Sequence, residues 1–390
     1  MRRPTLVSPA RRRVNVDALI IGSGITGALV AYQLTKAGAK VAITDSRPVA
    51  SGSTPASTAL LQYEIDTPLV RLISMLGKKH AEAAYLSSFH ALADLKEIGR
   101  ELGNDIDLVS RRSLQLAVKP ADYRAFGGEV AARRKLGIPA TLVSRQDLRL
   151  RLGFDRPGAI LNENALEVNP LKLTYRLLRA AKEHGAVVLP RTRIDLSSLA
   201  KKSRPFRLTL RSGARIVAKH IVIATGYETP EEFSEIASLT ELRSTFALAT
   251  TPVRHEPWPE RMLLWDAGDP YFYARTTADG RVLAGGGDEP FTSAAARDAL
   301  IAAKSRTLLK TLRKLVPELK CRAAFCWAGT FAQTKDGLPY IGAHHKWPGV
   351  HFALGYGGNG ITFSVIASKI LTESVAGRVH PAARLFRIDR

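Results

Sequence analysis

Cysteine is nearly absent from this chain. Cys321 and Cys326 are the two in 390 residues, too few to staple a scaffold in a chain long enough not to need one. On one shared strand a spacing of five would place them on opposite faces, which argues against a bridge and favours a reducing, cytoplasmic compartment. Acid is scarce too: 35 Asp and Glu stand against 57 Lys and Arg, a formal charge of +22 that attracts anions. The basic residues are scattered, at 11–13, 111–112, 133–135, 201–202 and in a helix-like run from Lys304 to Lys320. No arginine-rich tract interleaves with aromatics and no helix-turn-helix or zinc-finger spacing occurs, so no specific nucleic-acid partner is expected. A solvated basic surface is the favoured reading.

Long apolar runs are missing as well. Ala18 to Leu34 comes nearest, but three glycines interrupt it and Lys36 follows, so no transmembrane segment is expected. The histidines, His344 and His345 included, show no ligand spacing, and no metal is expected. Internal repeats and low-complexity tracts are absent. Residues 1–13, with two prolines and five arginines, read as a flexible basic extension.

What the chain does have is glycine in two places. "GSGITG" at Gly22 to Gly27 follows an apolar strand at 16–21, opens a helix at 25–36 and leads to a second strand at 40–44, which makes a βαβ unit. Gly22 suits the tight turn, Gly24 the approach to a pyrophosphate and Gly27 helix packing on the strand, with N–H groups at the helix start facing the anion. Asp45 ends the second strand eighteen residues after Gly27, where a carboxylate binds ribose hydroxyls and repels a 2′-phosphate. NAD and FAD share this fingerprint. The second cluster, "GYGGNGITFS" at Gly355 to Ser364, sits between a strand at 350–354 and a helix from about Ile361. Its forward-pointing N–H groups suit negative charge on a bound ligand.

Further α/β pieces follow: a helix at 170–184 and a strand at 216–224 running into "TGYE". Between them lie a mixed region containing "SLQLAV" and a hairpin, "YFYARTT", "ADG", "RVLAGGG". The expected fold is α/β: a discontinuous Rossmann-like nucleotide-binding domain at 14–79, 151–230 and 326–390, with a second, largely antiparallel domain for substrate at 80–150 and 231–325.

In order along the chain, "DALIIGSGITGALVAYQLTKAGAKVAITD", "SGSTPASTALL", "ALEVNPLKL", "VIATGYE", "DGRVLAGGG", "WAGTFAQTKDGLPYIG", "GYGGNGITFS" and "LFRIDR" resemble the D-amino-acid oxidase superfamily of FAD-dependent oxidoreductases, which includes glycine and sarcosine oxidases. The resemblance implies FAD. Around it would stand Gly22, Ser23, Gly24, Ile25, Thr26 and Gly27; Asp45, Ser46 and Arg47; Ser53, Thr54, Ser57, Ala59 and Leu60. Ile194, Ala224, Thr225, Gly226 and Gly329 complete the nucleotide side, and Gly358, Asn359, Gly360, Ile361 and Thr362 the pyrimidine end.

The chain also departs from the family pattern. Phe331 and Gly358 stand where glycine oxidases carry carboxylate-binding arginines, and Thr362 and Leu283 where sarcosine oxidases carry lysines. Gly329 stands where sarcosine oxidases attach flavin through cysteine, so noncovalent FAD is expected, with Cys326 a reduced core thiol. No catalytic residue is assigned. Tyr271, Tyr273 and Arg275 alternate toward one face and are candidates for substrate contact, together with Tyr63 and Tyr356, and more weakly Glu64 and Asn359.

The expected activity is FAD-dependent oxidation of a C–N bond in an amine or amino-acid derivative, by hydride transfer to flavin N5 and hydrolysis of the imine. Oxygen or another acceptor takes the electrons. The alternatives are a dehydrogenase of a hydroxy acid or amine that passes electrons to a partner, and a flavin-binding subunit or RNA-associated protein without catalysis of its own.

Overall fold

In the computed structural model, residue 6, residues 13–197 and residues 204–390 are described. The rest of the expected basic extension and Lys201-Lys202 lie outside them. Two sheets organise the chain. In the first, the strands run Tyr340–Ala343, Val350–Leu354, Arg215–Ile223, Arg13–Ile21, Val41–Thr44, Val187–Leu189, with Phe206–Thr209 antiparallel to Arg215–Ile223. The four pairings from Val350–Leu354 to Val187–Leu189 are parallel.

Its inner strands are apolar on both sides because both sides are covered. Ala18, Ile20 and Ile43 pack under the helices Ile25–Lys36, Pro170–Glu183 and Gly360–Val375. The alternate residues Leu19 and Ala42 pack against Phe206, Leu208 and Phe233 on the other face.

The second sheet runs Ala323–Gln333, Glu241–Thr250, Val282–Pro290, Phe272–Thr276, Leu263–Asp266, Val109–Leu116, Gly158–Glu167, Leu60–Gln62, with Ala140–Ser144 paired to Gly158–Glu167. It is mixed, since Leu263–Asp266 and Val109–Leu116 pair in parallel, and antiparallel elsewhere. Leu60–Gln62, Gly158–Glu167 and the end of Ala323–Gln333 fall within the ranges expected for the nucleotide-binding domain, yet pair here.

Period-two alternation gives this sheet one dry face and one polar face. Leu114, Leu264, Phe246, Leu248, Phe272 and Ala274 form a core with Leu308 and Leu312 of the helix Ile301–Leu315. Gln115, Trp265, Tyr273, Thr245 and Arg243 look the other way, into a cavity.

The cysteines correct one expectation. Cys321 precedes the edge strand Ala323–Gln333 and is the buried thiol, whereas Cys326 within that strand is exposed; both are free. The first four residues of the strand all face solvent at the sheet's open edge, so Cys326 has no core to enter. No helix among the described residues is long and apolar enough to cross a membrane.

Candidate cofactor and substrate site

A cavity of about 1540 Å³ lies between the two sheets. Pockets for drug-sized ligands run to roughly 1,000 Å³, so this one has room for a dinucleotide and a small substrate together. Every residue expected around the cofactor lines it except Ser23 and Gly27. Those two build the turn from behind. A Cβ on Gly27 would lie 1.9 Å from the carbonyl oxygen of Gly22, so only glycine lets the helix Ile25–Lys36 seat on its strand.

The Ser23 N–H and hydroxyl both donate to Asp45 Oδ2, at 2.9 and 2.8 Å, and the Arg47 N–H donates to Oδ1 at 2.9 Å. Asp45 therefore clamps the glycine turn while still facing the cavity, with acceptor capacity left on Oδ1 for a ribose hydroxyl. Arg47 is already engaged. Its guanidinium forms a bidentate pair with Glu228 at 3.0 and 2.9 Å.

The segment 53–66 passes from the first sheet to the second along the cavity. The Thr54 hydroxyl accepts the Ile25 N–H at 3.1 Å and stands 3.2 Å from where a Cβ on Gly24 would be. A side chain there would close the approach to the helix start. The Thr225 hydroxyl, also lining the cavity, is buried without a hydrogen-bond partner. A glycine-floored helix start, a carboxylate and an unmet hydroxyl in one enclosure fit the pyrophosphate and ribose of FAD.

At the opposite end, the strand Val350–Leu354 enters the second glycine turn. Gly357 has φ +54°, and a Cβ there would lie 2.6 Å from Asp66 Oδ2. Asp66 accepts the Gly358 N–H at 3.1 Å, and the Thr362 hydroxyl donates to the Gln62 carbonyl at 3.1 Å. The start of the helix Gly360–Val375 is thereby tied to the crossing segment, with Gly358 to Thr362 lining the cavity where the resemblance puts the pyrimidine end.

Of the substrate candidates, Tyr271, Tyr273 and Tyr356 line the cavity, as do Glu64 and Asn359. Burial raises the hydroxyls of all three tyrosines, that of Tyr273 to about 12, so they are hydrogen-bonding phenols. Arg275 and Tyr63 do not line it. Arg275 is 8% exposed; its guanidinium donates to the carbonyls of Thr58 and Thr276 and lies 3.6 Å from Glu167. Tyr63 donates to Asn162 at 2.8 Å and packs edge-on against Tyr85 and Phe89.

The structure adds residues that the sequence reading left out. Arg243 faces the cavity from the strand Glu241–Thr250, directly opposite Phe331 on the next strand. A bulge between Ser244 and Phe246 interrupts its pairing with Val282–Pro290. Across that bulge stands Asp288, whose carboxyl is raised by burial and by Asp66 and lowered by Thr245 and Arg243. At the far side, Gln115 and Arg133 line the wall beside Glu64, already a weaker candidate. Nothing local marks these residues: Arg133 belongs to the run "ARRK", and only the phase of the helix Pro120–Lys135 turns it inward.

Residues 17–374 match the family model described as DAO, FAD dependent oxidoreductase. The glycine oxidase of Bacillus licheniformis is 26% identical over 376 residues, covering 94% of each chain. The crystal structure of glycine oxidase from Geobacillus kaustophilus superposes with a TM-score of 0.76 at 22% identity, over 96% of this chain and 99% of that one. L-proline dehydrogenase from P. horikoshii gives 0.79 at 19% identity, over 96% and 97%.

Proposed function

The chain belongs to the DAO family of FAD-dependent oxidoreductases, and from that premise we propose that it oxidises a C–N bond of an amine carrying an anionic group, in the manner of an amino acid. FAD held between Asp45 and the Gly358–Thr362 turn would supply the two-electron acceptor for a hydride from the carbon, at flavin N5 in this reading, leaving an imine for water to hydrolyse. The protein's part is to hold the amine with its C–H bond over the ring.

One observation carries the anionic group. Phe331 cannot bind a carboxylate, but Arg243 lies directly across from it on the adjacent strand, on the same face, and lines the same cavity. Among the described residues its guanidinium makes no hydrogen bond or close ion pair, feeling only the longer-range charge of Asp288, unlike those of Arg47, Arg133 and Arg275. The charge that Phe331 lacks has moved one strand over. We read the chain as a cofactor unit built on the first sheet and a substrate unit built on the second, with Tyr271, Tyr273 and Tyr356 walling the space beside Arg243. Two unbridged cysteines, one of them exposed, fit a reducing compartment.

The purified protein should be yellow and should bleach anaerobically with members of a panel of glycine, sarcosine, proline, benzylamine and 1,4-diaminobutane. Air restores the colour if oxygen is the acceptor. Arg243→Ala should raise KM for the carboxylate-bearing members about 10- to 100-fold, the worth of a charge-assisted hydrogen bond, and leave benzylamine unchanged. Bleaching by no member would end the proposal, and equal effects of the substitution on both classes would remove Arg243 from it.

A further inference from the structure

The floor of the cavity changes chemistry from strand to strand. Arg243 stands on Glu241–Thr250, and the next strand, Val282–Pro290, presents Asp288. Tyr271 and Tyr273 follow, just before and within Phe272–Thr276, and then Trp265 on Leu263–Asp266. Trp265 pairs directly with Tyr273, and the rings stand at angles to one another: Trp265 and Tyr271 at 63° with centroids 6.5 Å apart, Tyr271 and Tyr273 at 44° and 5.6 Å. Gly285 makes room for this wall, since a Cβ there would lie 2.2 Å from the Tyr273 hydroxyl oxygen.

A second carboxylate reaches the same space from the crossing segment. Asp66 is exposed to the cavity; its Oδ2 accepts the Gly358 N–H at 3.1 Å, while Oδ1 has only a 3.5 Å contact from the Asn359 side-chain amide. Its charge acts on both Asp288 and Tyr271, raising the carboxyl of the one and the hydroxyl of the other. Neither Asp66 nor Asp288 has a close ion-pair partner among the described residues, in a chain where Lys and Arg outnumber Asp and Glu by 57 to 35. Lys304, which also acts on Asp288, is already paired with Glu289. Asp266, by contrast, is taken up by the N–H groups of Gly268 and Phe272.

One fixed positive charge facing two fixed negative ones fits a simple amino acid poorly. The substrate carboxylate answers Arg243 and the reacting amine must be neutral, which leaves both aspartates without a cation in an enclosure where unmatched charge is costly. We propose that the substrate carries a second cationic group, which does not react and which rests between Asp66 and Asp288 against the rings of Tyr271, Tyr273 and Trp265: an amino acid whose side chain ends in an ammonium or guanidinium. The carboxylates answer its charge, and the rings add the attraction of aromatic faces for cations. The spacing agrees, because one to two strands across the floor from Arg243 is about 5 to 10 Å, the reach of a three- or four-carbon side chain.

This inference rests on the amine-oxidising reading, and the test separates the two. Lysine and norleucine have side chains of the same four carbons, and only lysine ends in a cation. The second-order rate constant of anaerobic flavin reduction, measured with the racemic amino acids, should favour lysine about 10- to 100-fold in the wild type, the worth of a charge-assisted contact. Asp66→Asn, whose side-chain carbonyl can still accept the Gly358 N–H, and Asp288→Asn should each lose most of that preference. Binding without turnover should follow the same order: 4-guanidinobutanoate should perturb the flavin spectrum at lower concentration than hexanoate. Bleaching by other amines while lysine gains nothing over norleucine overturns the second cation and leaves amine oxidation standing, as does a preference that survives in both variants. Bleaching by no amine at all defeats both. Should the variants fail to hold FAD, the two wild-type comparisons decide: tighter binding of 4-guanidinobutanoate supports the proposal, and equal or tighter binding of hexanoate overturns it.

Discussion

Single residues in this protein carry more than one task, and the glycine turn shows where that leaves no freedom. Gly27 never reaches the cavity, yet its missing Cβ sets the distance between the helix Ile25–Lys36 and the strand behind it. Gly27→Ala should therefore give protein with little or no bound FAD, measured as the ratio of visible to ultraviolet absorbance, because the helix start must move by more than an ångström. Gly38→Ala is the control. It has the same loss of glycine at a position where the added carbon meets nothing within 4 Å, though at φ +85° it should lose some stability while keeping flavin. Residues whose job is set by spacing along the chain, such as Gly22, Gly24 and Asp45, could be read from sequence because turn, strand and helix all lie within a short stretch. Arg243, Gln115 and Arg133 could not: their meaning comes from strand neighbours and a helix phase far away in the chain. Arg275 misled for the same reason. Alternation put it on the right face, but Glu167 and the Thr58 carbonyl were there to claim it.

One element here is fastened at its end by a buried ion pair. Asp336, in the turn before the strand Tyr340–Ala343, receives Arg390 in a bidentate pair at 2.8 and 2.9 Å, with the two side chains 11% and 8% exposed. Burial alone would raise the Asp336 carboxyl, but Arg390 outweighs it and the group ends below its ordinary value. Arg390→Ala would leave that carboxylate enclosed without its partner, and unfolding in urea should show a loss of about 3 kcal/mol. The depressed carboxyl makes this contribution present above the ordinary Asp range and lost as the pH falls through the folded value. Most strands and helices were legible from periodicity, including the hairpin of Phe272–Thr276 and Val282–Pro290. Sheet membership was not. Leu60–Gln62 and Gly158–Glu167 look like parts of the α/β unit in sequence, and only their pairing places them in the second sheet.

Across the whole molecule, acid should be a weak point through histidine as well as carboxylates. His351 bridges three elements, its Nε2 3.0 Å from His220 and its Nδ1 3.2 Å from the Ser374 hydroxyl. Burial, with help from His220 and Arg204, depresses it from 6.5 to about 3. Between those values the unfolded chain binds a proton that the folded one refuses, so stability falls as pH drops, by up to about 1.4 kcal/mol per pH unit. Thermal unfolding followed from pH 7 to pH 4 should show this slope in the wild type and a flatter one in His351→Asn; parallel slopes would remove His351 as the cause.

The segment 53–66 has a mechanical consequence. It is stitched to the helix start at Ile25, to Trp327, Arg275 and Thr362, and to the turn at Gly358, so its bonds reach both sheets at intervals along its length. A clamshell needs a free hinge line between its halves, and this suture occupies that line. Swinging one sheet away from the other to open the cavity would have to break these bonds one after another along the segment.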